Sequence, residues 1–142
     1  MAVSDANSGG ATGAAALLGR LLLSAIFIWS GYAKLMGASG TIAYFAKLGL
    51  PMPEIAFAVT VAVELGGGLL LLFGLLTRPI AVILALWCIA TAFVAHSDFG
   101  DRNMQIHFMK NVAMAGGFIY TALLGAGGFS VDAMRGQKAQ AA

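Results

Sequence analysis

The sequence predicts an all-α integral membrane protein, a four-helix bundle with a short interfacial helix between its first and second membrane helices. Two observations carry this prediction. Of the 142 residues, 60% are hydrophobic and only 10% are charged, whereas a soluble domain carries about a quarter charged residues. Apolar runs of roughly 20 residues, the length that crosses a bilayer, recur four times along the chain. A soluble helical bundle is the alternative, but its helices need a polar face, and the third run lacks one.

The boundaries of the elements follow from these runs and from the residues between them. A single domain over residues 14–128 is expected to contain membrane helices at about 14–36, 54–76, 79–96 and 106–125. Residues 41–48 place Ile42 and Phe45 on one side of a short helix, which is typical of a helix lying at the membrane interface. Pro79 suits the first turn of the third helix because its missing N–H needs no partner there.

The two chain ends are predicted to be tails without a fold of their own. Residues 1–13 are rich in small residues and predict a flexible N-terminal tail, and residues 129–142 predict a polar C-terminal tail. Four crossings place both ends on one side of the membrane. The balance of Lys and Arg between the two sides favours the cytoplasm for the N- and C-termini. The net charge of +2 is scattered, so nucleic acid is not an expected partner.

Glu64 is the most informative residue for function. It lies about ten residues into the second predicted helix, roughly 14 Å deep and near the middle of the bilayer. An ionised carboxylate that faces lipid costs several kcal/mol, so Glu64 is expected to face the bundle and to be paired, hydrogen-bonded or protonated. Gly67 and Gly68 share its helix face, and such small residues allow a second helix to approach closely.

The first helix offers a matching surface for this carboxylate. Residues spaced by four, three, four and three form one stripe along it: Arg20, Ser24, Phe27, Gly31 and Lys34. Arg20 and Lys34 are each offset from the level of Glu64 by ~10 Å. Three interpretations remain open. Glu64 forms a structural ion pair with Arg20 or Lys34, it is a proton-linked or ligand-binding carboxylate, or it is protonated while both cations extend to opposite interfaces.

A second group of polar residues, here called the polar mouth, is predicted where the third helix ends and the fourth begins. His96 ends the third helix, and His107, Lys110 and Asn111 begin the fourth. Asn111 is expected to need a hydrogen-bonding partner inside the bundle. Three explanations of this group remain open. It is ordinary loop polarity, an opening for a head group, quinone or partner protein, or a metal site that includes Asp98 and Asp101. Their spacing matches no specific metal motif, so no metal is predicted.

Three segments resemble the DoxX family. They are the first-helix pattern from Arg20 to Leu35, the run ELGGGLLLLFGLLTRPIA at 64–81, and KNVAMAGGF at 110–118. The resemblance covers about residues 15 to 125 and implies a four-helix protein of the bacterial inner membrane. It maps the family pattern onto seven positions and brings no established catalytic role to them: Arg20, Gly31, Lys34, Glu64, Gly67, Gly74 and Asn111.

The resemblance also implies that the protein functions as a membrane partner of redox enzymes. Some members are membrane partners in oxidoreductase complexes concerned with thiol or oxidative stress. This sequence has one cysteine, Cys88, within an apolar run, and no cofactor-attachment motif. We therefore expect a non-catalytic subunit or scaffold, with lipid, oxidoreductase subunits or further copies of itself as partners and no tightly bound cofactor. The alternative is a protein that binds quinone or lipid, or a small proton-linked transporter that uses Glu64.

Overall fold

The computed structural model describes residues 2–140 and is helical over most of that range, without strands in it. Six helices follow one another: α1 Ala2–Met36, α2 Ala38–Lys47, α3 Pro53–Phe73, α4 Thr77–Ala95, α5 Arg102–Leu124 and α6 Val131–Gln140. Within α3, residues Ala62–Gly66 form a π-helical turn. The predicted interfacial helix between the first two membrane helices is present as α2.

Three of these helices are long and apolar enough to cross a membrane. They are the Gly10–Met36 part of α1, the whole of α3 and the whole of α4. The fold class predicted from the sequence, a helical membrane bundle, is confirmed. At 23 residues α5 is also long enough to cross, and it packs along α4. Its first half carries polar residues and it does not belong to the three apolar helices, so the fourth crossing stays a prediction.

Both chain ends differ from the predicted tails. Helix α1 already begins at Ala2, and α6 occupies Val131–Gln140 in the predicted polar tail. Residues 1 and 141–142 lie outside the described part of the chain.

The position of α6 has a clear physical cause. The two carboxylate oxygens of Asp132 accept hydrogen bonds from the backbone N–H groups of Leu76 and Thr77, at 2.9 and 2.8 Å. The first N–H groups of a helix have no partner within it. Asp132 therefore caps α4 from more than fifty residues away, and this contact holds α6 against the start of α4.

Arg20 joins three parts of the chain at the same end of the bundle. It is 2% exposed, and it donates hydrogen bonds to the carbonyl oxygens of Leu71 and Leu72, at 3.1 and 2.8 Å, and to that of Phe129. The last carbonyls of a helix also lack partners within it, and a cation is favourable beside them. Arg20 thus closes the C-terminal end of α3 and ties it to the segment before α6. Gly74, which follows with φ +66°, leaves the space that the guanidinium fills.

The closest contact between α1 and α3 depends on glycines. A Cβ atom on Gly31 would lie 2.6 Å from the backbone nitrogen of Leu65, and one on Gly68 would lie 2.9 Å from Cγ1 and 3.1 Å from the backbone nitrogen of Ile28. Real Cβ atoms do not come so close to backbone, so these positions set the separation of the two helices. The sequence prediction that small residues bring a helix close to the Glu64 face is consistent with this contact.

The apolar core lies beside this contact. Phe27 of α1 meets Phe118 of α5 edge to face, with ring centroids 5.3 Å apart. Leu71, Leu84 and Cys88 are fully buried around them. Cys88 is therefore a core residue, as its position in an apolar run indicates.

The glycine contact makes a testable prediction. Gly31→Ala should lower the stability of the bundle by about 1–3 kcal/mol, because the new methyl group meets backbone that cannot move away. Gly66→Ala is the matched control, since a Cβ atom there has no neighbour within 4 Å. Thermal unfolding in detergent, followed by far-ultraviolet circular dichroism, measures the difference. Equal melting temperatures for the two variants would contradict the assignment of Gly31 as a contact-limiting residue.

The Asp132 contact predicts a dependence on pH. Burial raises the pKa of Asp132, but hydrogen bonds from the backbone of Thr77 and Leu76 and the nearby charge of Arg135 outweigh it, so the pKa lies below the ordinary 3.8. A lowered pKa stabilises the docked form above the ordinary value, and this contribution disappears as the pH falls through the folded-state pKa.

Hydrogen exchange of residues 131–140 is the measurement. The protection factors of these amides, measured relative to the intrinsic exchange rate at each pH, should fall in acid below the ordinary pKa of Asp132, and in Asp132→Asn they should already be low at neutral pH. Asp98→Asn removes the same charge from the opposite end of α4, where its carboxylate binds Gly100 N–H within its own loop. It should leave α6 protected. Slow exchange of α6 in Asp132→Asn would rule out the capping contact as its anchor.

Candidate functional site

An ion pair between α1 and α3 forms the inner end of the candidate site. Lys34 Nζ lies 2.8 Å from Oε2 of Glu64, and Glu64 is 7% exposed. Lys34 also donates to Ser30 Oγ, one turn earlier on α1. Trp87 of α4 directs its indole Nε1 towards the other oxygen of Glu64, at 3.4 Å. Of the pairings considered from the sequence, the structure contains Lys34 with Glu64.

Arg20 and Ser24 take no part in this pair. Arg20 binds backbone carbonyls at the opposite end of the bundle, so the Arg20–Glu64 pairing that the sequence left open does not occur. Ser24 is buried and donates to the carbonyl oxygen of Leu21 in its own helix. The two cations at the ends of the stripe on α1 have different partners on α3. Arg20 donates to backbone carbonyls, and Lys34 pairs with the carboxylate of Glu64.

Glu64 lies inside the π-helical turn of α3. Such single turns interrupt an α-helix by one extra residue and are frequent at functional sites. The turn changes the direction of side chains on either side of it, so the ordinary helical spacing used for the sequence prediction does not hold through residues 62–66. Gly67, three residues after Glu64, faces Leu84 of α4, with a hypothetical Cβ atom 3.1 Å from Cδ2. Gly68 faces α1.

A cavity of about 1020 Å³ opens beside the ion pair. Helices α1 to α5 and the α2–α3 connection all contribute to its walls, which are mainly apolar. This volume is at the upper end of the range of ligand pockets, ~300–1,000 Å³. The ionisable side chains that line it come from α1, α2, α3, α5 and the C-terminal cap of α4: Lys34, Tyr44, Glu64, His96, His107 and Lys110.

The polar mouth predicted from the sequence lies in this cavity. The imidazole rings of His96 and His107 are stacked, with centroids 5.0 Å apart and planes inclined by 24°. Asn111 donates to the carbonyl oxygen of His107 at 3.0 Å, and its own side-chain oxygen is 3.5 Å from the hydroxyl of Thr91. The structure thus supplies partners for Asn111 within the bundle, on its own helix and on α4.

The electrostatic character of this mouth is positive. The pKa of His96 lies below its usual range, chiefly because the ring is partly desolvated, and then because of the charges of His107, Lys110 and Lys34. Its Nδ1 atom is buried and has no hydrogen-bond partner in the described part of the chain. Residues far apart in the sequence therefore meet at a site with unused hydrogen-bonding capacity.

The metal interpretation of the mouth has no geometric support among residues 2–140. No group of three or more His, Cys, Asp or Glu side chains there is placed to hold a metal ion. Asp98 instead accepts from Gly100 N–H, and Asp101 caps α5 by accepting from Asn103 N–H at 2.7 Å. Both carboxylates have local structural roles.

Trp29, Trp87 and Tyr44 are lining residues that the sequence did not single out. Aromatic residues of this kind are common near membrane interfaces, so nothing in their spacing distinguishes them. The sequence contains two tryptophans in all, and both line this cavity, which gives it an intrinsic fluorescence signal.

Comparisons with known proteins identify the family. The DoxX family model matches residues 15–97. The chain is 37% identical over 122 residues to "Inner membrane protein YqjF" of Escherichia coli (strain K12), which covers 86% of this chain and 92% of that protein. It is 38% identical over 122 residues to "Inner membrane protein YphA" of the same organism, covering 82% and 86%.

A third relative has a name that states an activity. "Putative oxidoreductase CatD" of Bacillus subtilis (strain 168) is 43% identical over 70 residues, about half of each chain. No solved structure matches. The family match and the extent of the first two relatives confirm the resemblance seen in the sequence: this chain belongs to the DoxX family. With its apolar helices, it is a multi-pass protein of the inner membrane.

The ion pair predicts that Lys34 and Glu64 stabilise the protein as a coupled pair. Lys34→Met leaves the buried carboxylate of Glu64 without its cation, which should lower stability by about 3 kcal/mol. The double variant Lys34→Met with Glu64→Met should recover most of this loss, because no charge then remains unpaired. Lys47→Met, on the exposed side of α2, controls for the loss of a lysine. Thermal unfolding of the unchanged protein, Lys34→Met, Glu64→Met and the double variant forms the cycle. Additive effects of the two single changes would show that the pair is not coupled.

Proposed function

We propose that this DoxX-family protein is a non-catalytic membrane subunit that binds an amphiphilic molecule of quinone or lipid type and serves an oxidoreductase partner. The observation that carries the proposal is the cavity beside Lys34 and Glu64. It combines apolar walls from five helices with a few polar groups at one side, which is the general form of a site that buries a ligand and orients one polar end of it.

The walls of the cavity favour a ligand that arrives from the bilayer. Trp29 on α1 and Ile55 and Val59 on α3 line it and are 74%, 55% and 47% exposed. On helices that cross a membrane, such exposed apolar side chains face acyl chains. A molecule that already dissolves in the bilayer can therefore contact these walls without passing through water.

Two observations support the subunit role: the cysteine content of the chain and the name of one relative. Its one cysteine, Cys88, is a fully buried core residue, and the sequence contains no paired cysteine motif. Electron transfer to or from a bound molecule therefore requires a redox group from elsewhere. The name of the CatD relative refers to an oxidoreductase, and this supports a partner of that class.

The transporter alternative has weaker support. The carboxylate of Glu64 is held in place by Lys34 at 2.8 Å and approached by Trp87, which is the arrangement of a structural ion pair. Binding without transport needs only the cavity, and it is the simpler account of these contacts.

The test uses the two tryptophans that line the cavity. A short-chain benzoquinone titrated into the protein in detergent should quench their fluorescence in a saturable manner. Ala56→Phe places a large ring within the cavity lining and should abolish saturation. Ala58→Phe, on the exposed side of the same helix and outside the lining, should bind as the unchanged protein does.

Two results would overturn the proposal. Quenching that is linear and equal in both phenylalanine variants would show that the quinone only collides with the protein.

Purification in mild detergent should also yield a flavin- or thiol-containing redox protein in a fixed ratio. Recovery of the chain without such a partner would remove the subunit role while leaving the binding role in place.

A further inference from the structure

We propose that the molecule bound in this cavity carries one acidic head group, a carboxylate or a phosphate on an acyl chain, held by His96, His107 and Lys110. This inference rests on the proposed function, since it concerns the chemistry of the ligand at the same site. It goes beyond that function because it excludes a neutral head, such as that of an oxidised quinone, as the preferred occupant.

The first support is the balance of charge in the lining. Lys34 and Glu64 neutralise each other at 2.8 Å. Lys110 is the remaining charged lysine of the lining, and over the described residues it has no carboxylate within ion-pair distance. The cavity thus holds one positive charge without a partner before either histidine is protonated. Lys110 is exposed, and a ligand with one negative charge would give it a partner.

The second support is the arrangement of donors. Lys110 follows His107 by one helical turn on α5, so the two side chains share a helix face. His96 stacks on His107 from α4 and has a buried Nδ1 without a partner in the described range. Two imidazoles and an ammonium group are all hydrogen-bond donors when protonated. Oxyanions of carboxylates and phosphates accept several such bonds at once.

The third support is that the neighbouring polar groups already have partners. Asn111 donates to the carbonyl of His107, and Thr91 donates to backbone carbonyls of its own helix. Glu64 is occupied by Lys34 and Trp87. The donors left for a ligand therefore include those of His96, His107 and Lys110, and the apolar walls of α1 and α3 are left for its chain.

The desolvation of His96 fits the same picture. Burial and then nearby positive charges disfavour its protonation, and an anion placed between His96, His107 and Lys110 acts in the opposite sense to those charges.

The experiment compares two probes that differ only in the head group. The protein in phosphatidylcholine nanodiscs is titrated with nitroxide-labelled stearic acid and with its methyl ester, and quenching of tryptophan fluorescence is measured. The acid should bind at least about tenfold more tightly than the ester, since charge-assisted hydrogen bonds are absent from the ester. In Lys110→Gln this ratio should fall towards one. In Lys47→Gln, which loses the same charge outside the cavity, it should be kept.

A second variant protects the test from misfolding. His107→Gln should also reduce the ratio, and circular dichroism of each variant confirms that its helices are intact. Equal binding of acid and ester to the unchanged protein would overturn the acidic head group. Preference for the acid that survives in both Lys110→Gln and His107→Gln would overturn the assigned site.

Further measurements distinguish a phosphate head group from a carboxylate. They also distinguish failure of the acidic ligand from failure of the proposed function. Labelled phosphatidic acid, compared with labelled phosphatidylcholine, reports a phosphate head in place of a fatty acid. Selectivity in only one acidic series identifies which source the site accepts. Absence of binding by every labelled lipid, together with saturable quinone binding, would refute the acidic ligand and retain the proposed function. Absence of both would refute the two together.

Discussion

The contact between α1 and α3 at Gly31 and Gly68 is the constraint on which the site depends. Here the backbone of α3 lies so close to α1 that a single methyl group on Gly31 would approach Leu65 N to 2.6 Å. This separation brings Lys34, one turn further along α1, to Glu64 at 2.8 Å. Because a buried carboxylate needs a partner in the membrane, the helix packing and the ion pair require each other. The cavity is the space that remains beside them, between the same two helices and α2, α4 and α5.

The two ends of the bundle satisfy their charges in different ways. At one end, Arg20 donates to backbone carbonyls of α3 and of the segment before α6, and Asp132 accepts from backbone N–H groups at the start of α4. At the other end, the positive side chains face each other across open space, and His96 keeps an unused donor or acceptor. Contacts between charged side chains and the main chain are thus concentrated at the first end, and the positive side chains that line the cavity are at the second.

Much of this site could be predicted from residue types and spacing. A carboxylate in the middle of an apolar run must turn inward, so the inward orientation of Glu64 followed from membrane energetics, while the choice between Arg20 and Lys34 as its partner stayed open. The meeting of His96 with His107 followed from the order of the helices. Arg20, Asp132 and the π-helical turn at 62–66 were not accessible in the same way. The partners of Arg20 and Asp132 are main-chain atoms, which every residue carries, and a π-helical turn leaves no mark in composition.

Arg20 also sets a requirement on the order of synthesis. Its acceptors at Leu71 and Leu72 leave the ribosome about fifty residues after it, and the one at Phe129 more than a hundred residues after it. While α1 enters the membrane, the chain can offer the guanidinium none of these carbonyls. Water, lipid phosphates or the insertion machinery must solvate it during that interval. The guanidinium therefore obtains its first lasting partners only after α3 has been made, and its last one only after α5.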